Sequence, residues 1–213
     1  MRKVLVEACC ESVADAVLAE SGGADRIELC EDLAVGGCSP RPALLEEVLA
    51  AVTLPVMVMV RPRPGGFVYS TREQDRIIKE AAALVGSGAS GIVVGALRPD
   101  GGLDEGLLRS VVEAASGLPV TCHKAFDEAR DLMEALDSCR SCGIARVLTS
   151  GGAARALEGR RVLAALRRSG GPVILAGGGV RADHVRSLVE ETGVAEVHAR
   201  AEAVPGLVTA LRS

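Results

Sequence analysis

Residues 22–30 read Gly22-Gly23-Ala24-Asp25-Arg26-Ile27-Glu28-Leu29-Cys30, and this stretch carries the pattern on which the fold depends. Its paired glycines permit a tight turn, because glycine adopts backbone conformations that other residues avoid. The residues after the turn alternate between charged and apolar side chains, which is the period of a half-buried β-strand. A glycine turn that leads directly into a short strand is therefore the unit to look for along the chain.

The same unit recurs, with a glycine turn or a Leu-Pro step before most of the strands. Eight strands are predicted, at 4–9, 26–30, 56–60, 91–95, 120–123, 146–149, 173–176 and 196–199. Segments with apolar residues at helical spacing lie between them, including 72–85, 104–115, 129–142, 181–191 and a short last helix at 204–211. Strands that alternate with helices form βαβ units, and eight units indicate an α/β protein with a closed (β/α)8 TIM barrel.

The alternative α/β architecture is an open, doubly wound sheet. That fold is typically accompanied by a G-x-G-x-x-G fingerprint after its first strand, and no such motif follows the strand predicted at 4–9. No linker or low-complexity segment interrupts the 213 residues. We therefore predict a single TIM-barrel domain over residues 1–213, with its functional site at the C-terminal ends of the strands.

Composition argues against several classes of protein. The net charge is −4 and no Lys/Arg run is present, so the chain lacks the basic surface of a nucleic-acid-binding protein. No apolar run approaches the ~18 residues of a membrane helix, and Glu7 interrupts the first apolar stretch before a secretory signal can form. We therefore expect a cytoplasmic protein without nucleic-acid or membrane partners. Its seven cysteines are then expected to be free thiols, metal ligands or reactive groups rather than disulfides.

Side-chain parity predicts which residues point into the barrel, because successive side chains of a strand face opposite sides. Apolar residues such as Val6, Ile27 and Val58 are expected to face the helices. The opposite parity places a mainly polar set inside the barrel: Leu5, Glu7, Cys9, Arg26, Glu28, Cys30, Met57, Met59, Arg61, Thr121, His123 and His198. Each assignment depends on the strand register, since a slip of one residue reverses a strand.

The charges inside the predicted barrel allow two interpretations, since buried charges are unfavourable unless they pair or meet a ligand. They either form a satisfied polar network that fills the barrel or bind a small molecule at the strand C-termini. We favour the second interpretation, because barrel enzymes keep their chemistry at that end. Within this group we predict that Glu28 and Arg61 form the central ion pair.

The three aromatic residues support a ligand site. Phe67, Tyr69 and Phe126 are predicted to lie in loops over the mouth of the barrel, with none in the core. Aromatic rings beside Arg61 and Arg63 would suit a planar or anionic ligand.

Glycine clusters follow two of the predicted strands. Ser150-Gly151-Gly152 follows the strand at 146–149, and Gly177-Gly178-Gly179 follows the strand at 173–176. Glycine lets backbone N–H groups approach an anion, and loops at this end of a barrel often hold phosphate. The alternative is that they only make tight turns. The candidate anion-binding residues are Arg63, Ser150, Gly151, Gly177, Gly178, Gly179 and His198.

Taken together, the motifs resemble those of the CutC family of copper homeostasis proteins. The matching blocks run through the whole chain in order: Glu7-Ala8-Cys9, 22–30, Gly36-Gly37-Cys38-Ser39-Pro40, Arg61-Pro62-Arg63, Tyr69-Ser70, Gly95-Ala96-Leu97, His123-Lys124-Ala125-Phe126-Asp127, 148–152, 177–181 and Glu196-Val197-His198-Ala199. The resemblance implies a cytoplasmic TIM barrel that forms homo-oligomers (dimers or tetramers) and takes part in copper homeostasis. Two departures from the family pattern, at Gly66 and Arg200, make the mouth more positive and favour an anionic ligand there.

A copper site would draw on the sulfur-containing residues, because Cu(I) prefers thiolate, thioether and imidazole ligands. Cys9 and Cys30 share inward parity on adjacent predicted strands, and Met57 and Met59 lie on the next strand. The two thiols are therefore the candidate ligands for Cu(I). The alternative is that all four residues are ordinary core residues.

Two further motifs receive no functional role. Cys139 and Cys142 form a C-x-x-C at the end of a predicted helix, which we interpret as a chance pairing. Lys124, next to His123, is of the residue type that forms Schiff bases, but parity predicts that it points outward.

Two functions therefore remain open. The first is a copper homeostasis protein that binds Cu(I) at Cys9 and Cys30. The second is a lyase- or isomerase-like barrel enzyme that acts on a small anionic or phosphorylated substrate. In that enzyme the glutamates would act as general acid and base, His123 as a proton shuttle or electrophile, and Arg61 as an anion clamp. The candidate catalytic residues are Glu7, Glu28, Arg61, His123 and Asp127.

Overall fold

Eight parallel strands close into a barrel in the computed structural model, which describes residues 3–212. The strands are β1 (Leu5–Cys10), β2 (Arg26–Leu29), β3 (Val56–Met59), β4 (Gly91–Val94), β5 (Val120–Cys122), β6 (Arg146–Thr149), β7 (Val173–Ala176) and β8 (Glu196–Arg200). Neighbours in the chain are neighbours in the sheet, and β8 pairs with β1 to close it. The predicted (β/α)8 fold class is confirmed.

Eight α-helices in the same residues alternate with the strands. They are α1 (Val13–Ser21), α2 (Pro42–Ala51), α3 (Thr71–Ala83), α4 (Glu105–Ala114), α5 (Leu132–Ser141), α6 (Arg160–Ser169), α7 (Val185–Thr192) and α8 (Val204–Arg212). None of these helices has the length and apolar character that a membrane span requires.

Local sequence explains where several helices begin. Ser70 and Glu73 form a reciprocal capping box at the start of α3. The helix predicted at 129–142 begins only at Leu132, because the Asp131 side chain accepts hydrogen bonds from the first free N–H groups of that helix. A 3₁₀ turn, Lys124–Glu128, occupies the segment between β5 and this cap.

The predicted side-chain parity is confirmed for the strands. Val6, Ile27 and Val58 are buried between the barrel and its helices. A second, separate apolar cluster fills part of the barrel interior and consists of Cys9, Cys30, Met57, Met59 and Val93, with Leu33 packed against it.

A buried charge network fills the barrel on the N-terminal side of the mouth. Arg26 forms ion pairs with Glu7 and, at 2.7 Å, with Glu196. Arg146 binds the same Glu196 at 2.6 Å, from the first residue of β6. The interpretation of the interior charges as a satisfied polar network therefore holds for this layer.

Candidate functional site

A cavity of about 500 Å³ opens at the C-terminal ends of the strands. Its volume lies within the range of small-molecule sites. The predicted site residues on its wall are Cys9, Glu28, Cys30, Arg61, His123, Asp127, Ser150, Gly177, Gly178, Gly179 and His198. The other three predicted residues, Glu7, Arg63 and Gly151, lie outside this lining.

Two cysteine thiols meet on one side of the cavity. The Sγ atoms of Cys9 and Cys30 lie 3.8 Å apart, and Cys9 Sγ donates a hydrogen bond to Glu28 Oε2 at 3.2 Å. Cys9 and Glu28 are direct partners in the β1–β2 register, which explains their proximity. The hydrogen bond with Cys30, burial and the charge of Glu28 raise the pKa of the Cys9 thiol well above its ordinary value. The thiol is therefore protonated at neutral pH.

His198 lies beside the Cys9 thiol and contacts two buried carboxylates, those of Glu7 and Glu28. Its Nδ1 lies 2.9 Å from Glu7 Oε1, and its Nε2 lies 3.6 Å from Glu28 Oε2. One ligand atom from each of Cys9, Glu28 and His198 lies within 4.8 Å of the other two. Burial by itself would lower the pKa of His198, but the charges of Glu28 and Glu7 outweigh it and raise that pKa.

Glu7 supports the site from below rather than lining it. Its carboxylate is shared between Arg26 and His198, so both oxygens have partners inside the protein. Burial would raise the pKa of Glu7, but the hydrogen bond with His198 and the charge of Arg26 lower it to about 2. A carboxylate held ionised between two partners is poorly suited to the acid or base role predicted for it.

His123 lies on the opposite side of the mouth, after β5. Its Nδ1 accepts a hydrogen bond from the N–H of Ala125 at 3.1 Å, so the proton of the neutral ring lies on Nε2. That Nε2 is buried and has no hydrogen-bond partner in the part of the chain that the structure describes. Burial, with the charge of Arg61 as the second cause, lowers the pKa of His123 to about 3. His123 is therefore a neutral hydrogen-bond donor at physiological pH.

Arg61 does not pair with Glu28, so the predicted central ion pair is wrong. Its guanidinium donates to the carbonyl oxygens of Gly37 at 2.7 Å and Gly65 at 2.8 Å, and it stacks 4.9 Å from the Phe67 ring centroid. Because β3 ends at Met59, the alternation of the strand does not extend to Arg61. Its side chain holds the neighbouring loops together at the cavity wall.

The aromatic rings are buried, contrary to the prediction that none belongs to the core. Phe126 is fully buried, and Phe67 and Tyr69 are nearly so. Only Phe67 contributes to the cavity wall. Arg63 stacks on Tyr69 at 5.0 Å and binds Glu73 at 2.5 Å, so it holds its own loop against α3 instead of clamping a ligand in the cavity.

The side chain of Asp127, which lies in the turn after β5, binds the glycine loop after β6. Its carboxylate accepts hydrogen bonds from the backbone N–H groups of Ser150 at 2.9 Å and Gly152 at 2.8 Å, and from the Thr149 hydroxyl. The N–H of Gly151 donates to Thr149 Oγ1 at 2.9 Å. The N–H groups predicted to bind an external anion are thus already satisfied, and Asp127 is a structural anion rather than a free acid or base.

The glycine loop after β7 is more open. The N–H of Gly177 donates to the Thr149 carbonyl at 3.0 Å. Gly178 and Gly179 are exposed at the cavity with positive φ values of 95° and 70°, a conformation that favours glycine. The anion-binding role of this loop stays a prediction.

Sequence reasoning found only part of the charge of the cavity rim, since it expected Arg200 to make the mouth more positive but did not identify Lys124 or Arg181. Lys124, Arg181 and Arg200, hereafter the rim cations, are exposed on the cavity wall, and no ion pair within residues 3–212 involves them. Parity placed Lys124 outward, but β5 ends at Cys122 and Lys124 belongs to the following 3₁₀ turn. Position shortly after a strand end was the signal that could have found Lys124 and Arg181, which follow β5 and β7.

The C-x-x-C is separate from the cavity. Cys139 and Cys142 are both buried, and neither lines the cavity wall. A hydrogen bond with Cys122 and burial raise the pKa of Cys139, and burial raises the pKa of Cys142, so both thiols stay protonated at neutral pH.

The barrel, its thiol pair and its mouth can now be compared with known proteins. The sequence profile of the CutC family matches residues 4–203, which is nearly the whole chain. The chain belongs to the CutC family. The family resemblance inferred from the motifs is confirmed.

Individual CutC proteins support the same assignment. A CutC family protein of Agrobacterium fabrum is 44% identical over 204 residues, covering 95% of this chain and 81% of the relative. The human copper homeostasis protein cutC homolog is 42% identical over 199 residues, covering 92% and 73%. The crystal structure of CutC from Streptococcus agalactiae matches with a TM-score of 0.86 at 30% identity, covering 92% of this chain and 97% of that one.

Proposed function

We propose that this CutC protein acts in copper homeostasis and binds Cu(I) through the thiols of Cys9 and Cys30. The human and mouse relatives are named copper homeostasis proteins, which supports the physiological context. The observation that carries the proposal is the pair of thiols 3.8 Å apart on the wall of an open cavity. The ion would be cargo that enters and leaves through the mouth.

The chemistry of the donor groups fits Cu(I). Two cysteine sulfurs at this separation could contact one ion, since metal–thiolate bonds are about 2.3 Å long, and each thiol would release its proton to solvent on binding. Cu(I) also accepts thioether and imidazole ligands, and Met59 belongs to the same apolar cluster as the cysteines. His198 lies beside Cys9, and Glu7 holds its Nδ1 in the way that outer carboxylates orient metal-binding histidines.

Zn(II) is the competing ion. Its ligands in proteins include cysteine, histidine and glutamate, the residue types of the Cys9, Glu28 and His198 group. The second thiol favours Cu(I), because Cys30 adds a soft donor next to Cys9 and lies in an apolar cluster with a thioether. The two ions therefore have to be compared directly.

The enzymatic alternative has less support. Of the residues predicted to do acid–base chemistry, Glu7 is held by Arg26 and His198, and Asp127 is held by the loop after β6. Glu28 is hydrogen-bonded to a thiol that the copper proposal already uses.

Cu(I) affinity can be measured by anaerobic competition with a chromogenic chelator. We expect the wild-type protein to bind one Cu(I) and the Cys9→Ser, Cys30→Ser double variant to lose that site. Cys139→Ser, Cys142→Ser is the matched control, because it also removes two buried thiols but leaves the cavity intact. Its affinity should equal that of the wild type.

Two results would contradict the proposal. One is a Cu(I) site that survives in Cys9→Ser, Cys30→Ser or disappears in the control variant. The other is Zn(II) retained at this site in the presence of equimolar Cu(I), which would assign the residues to zinc.

A further inference from the structure

The wall of the cavity opposite the thiols carries groups that the proposed copper site does not use. In a closed barrel with its strands in chain order, β5 lies across from β1. His123 and Lys124 follow β5 and therefore line the cavity on the side away from Cys9. A metal ion held by thiols would fill only a small part of a cavity of about 500 Å³.

The His123 ring offers a hydrogen-bond donor that the protein leaves unused. The residue is only 2% exposed, and its Nδ1 is occupied by the N–H of Ala125. Its Nε2–H has no acceptor within the described part of the chain. Leaving a buried donor unsatisfied is unfavourable, because the group loses its hydrogen bond to water without gaining another, so native proteins rarely do it. Such a donor on a cavity wall indicates a ligand that supplies an acceptor atom.

The backbone is shaped around His123 and Lys124. A Cβ atom on Gly95 would collide with the His123 ring, and a Cβ atom on Gly36 would collide with Lys124 Nζ. Gly36 also has a φ of 90°, which disfavours any other residue there. The two glycines therefore leave the space that the His123 ring and the Lys124 side chain occupy at the cavity.

The charge around the mouth of the cavity favours an anion. The three rim cations have no carboxylate partner in residues 3–212. Of the carboxylates on the wall, Asp127 is taken up by backbone N–H groups, and Glu28 contacts the neighbouring thiol and imidazole through Oε2 while its Oε1 has no hydrogen-bond partner in the described residues. Glu128 is the third acid on the wall, so the three rim cations outnumber the carboxylates that lack a full set of partners.

We propose that the cavity binds a small organic oxyanion, a carboxylate or a phosphate, with one oxygen accepting the hydrogen bond of His123 Nε2–H and its charge next to Lys124. Because His123 is neutral, it recognises an acceptor oxygen rather than charge, and the rim cations supply the attraction for the anion. This second ligand does not use the proposed copper ligands, since His123 and Lys124 lie across the cavity from Cys9 and Cys30.

The experiment titrates the full chain, free of metal, with three probes. 2-Phosphoglycolate carries a carboxylate and a phosphate, and acetate and inorganic phosphate distinguish which of the two groups is recognised. Calorimetry gives the dissociation constants. The chain has three histidines, so the ring nitrogens of His123 can be followed by ¹⁵N NMR in histidine-labelled protein.

Four variants separate the contributions. His123→Asn keeps an acceptor for the N–H of Ala125 but removes the donor at Nε2, and Lys124→Gln removes an exposed charge with little risk to folding. Arg130→Gln is the control for loss of one positive charge, because Arg130 is exposed and lies outside the cavity. Cys9→Ser, Cys30→Ser tests independence from the metal site.

We expect at least one probe to bind the wild type and to shift the His123 Nε2 resonance. His123→Asn and Lys124→Gln should each weaken that binding by about tenfold or more, whereas Arg130→Gln and the double cysteine variant should change it by less than about twofold. The proposal is overturned if none of the probes binds, or if Lys124→Gln and Arg130→Gln weaken binding equally. Binding lost only in the cysteine variant would also overturn it, without bearing on whether Cu(I) binds there.

Discussion

Glu7 binds two side chains inside the barrel: Arg26, which belongs to the buried charge network, and His198, which belongs to the candidate metal site. Its ion pair with Arg26 is part of the buried network that continues to Glu196. Its hydrogen bond to His198 reaches the layer that holds the thiol of Cys9. The Glu7 carboxylate thus connects the buried charge network to the candidate metal site. It stays ionised although it is buried, because both of its oxygens have a partner.

Removing Arg26 should expose the cost of that burial. We expect Arg26→Met to destabilise the protein by about 3–5 kcal/mol, because Glu7 and Glu196 keep buried charges that lose their shared partner. The double variant Arg26→Met, Glu7→Gln should recover part of the lost stability, because it no longer contains the uncompensated charge of Glu7. Urea unfolding of the wild type, the two single variants and the double variant gives the coupling energy.

A double-mutant cycle of Glu28 and Arg61 serves as the control for the cycle of Glu7 and Arg26. Glu28→Gln and Arg61→Met should be additive to within about 0.5 kcal/mol, because those two side chains do not meet. Strong coupling in this pair, or none between Glu7 and Arg26, would show that the interior charges are arranged differently.

At the scale of elements, the segments that follow neighbouring strands are hydrogen-bonded to each other at the mouth of the barrel. Asp127, in the turn after β5, binds the loop after β6 through two backbone N–H groups, those of Ser150 and Gly152. Between β6 and β7 the connection is instead a continuation of strand pairing, because the N–H of Gly177 donates to the carbonyl of Thr149, the last residue of β6. The cavity wall is therefore stabilised by contacts between loops rather than by strand pairing alone.

Asp127→Asn should weaken the hydrogen bonds between the turn after β5 and the loop after β6. The amide NH₂ group faces N–H donors that the carboxylate accepted, so we expect faster hydrogen exchange at Ser150 and Gly152 and a loss of about 2–3 kcal/mol in unfolding free energy. Asp137→Asn is the control, because it also removes a carboxylate, in an exposed ion pair with Arg140 on α5. Its cost should stay below about 1 kcal/mol, and equal effects of the two variants would contradict the role of Asp127.

For the whole molecule, the buried neutral His123 ties stability to pH. Its pKa is lowered from 6.5 to about 3 in the folded protein, chiefly by burial. Below pH 6.5 the unfolded chain takes up a proton at this residue that the folded protein does not. Stability from this residue is therefore full above pH 6.5 and falls as the pH decreases toward 3.

The size of this effect is on the order of 5 kcal/mol between those two pH values. His123→Asn should lower stability at pH 7.5 but flatten its acid-side slope relative to the wild type. Chemical unfolding of both proteins at intervals from pH 7.5 to the lowest pH at which they fold measures the difference. Parallel curves would mean that His123 is not held neutral.

Much of the fold and part of the site follow from local sequence. Alternation with a period of two placed Cys9, Cys30 and Glu28 inside the barrel, because a strand has only two faces and the apolar face must meet the helices. The recurrence of a glycine turn, a strand and a helix predicted the barrel and the end at which the cavity opens. The family motifs follow from the sequence as well.

Only the tertiary structure decided what lies beyond the strand ends. Arg61 and Lys124 come after the last residues of β3 and β5, where alternation no longer applies, so loop contacts set their directions. Asp127 meets Ser150 because two loops distant in sequence converge, and a sequence pattern does not encode such a contact. The unpaired donor of His123 is likewise visible only when every neighbour is in place, since an unused hydrogen bond is a property of the surroundings rather than of the residue.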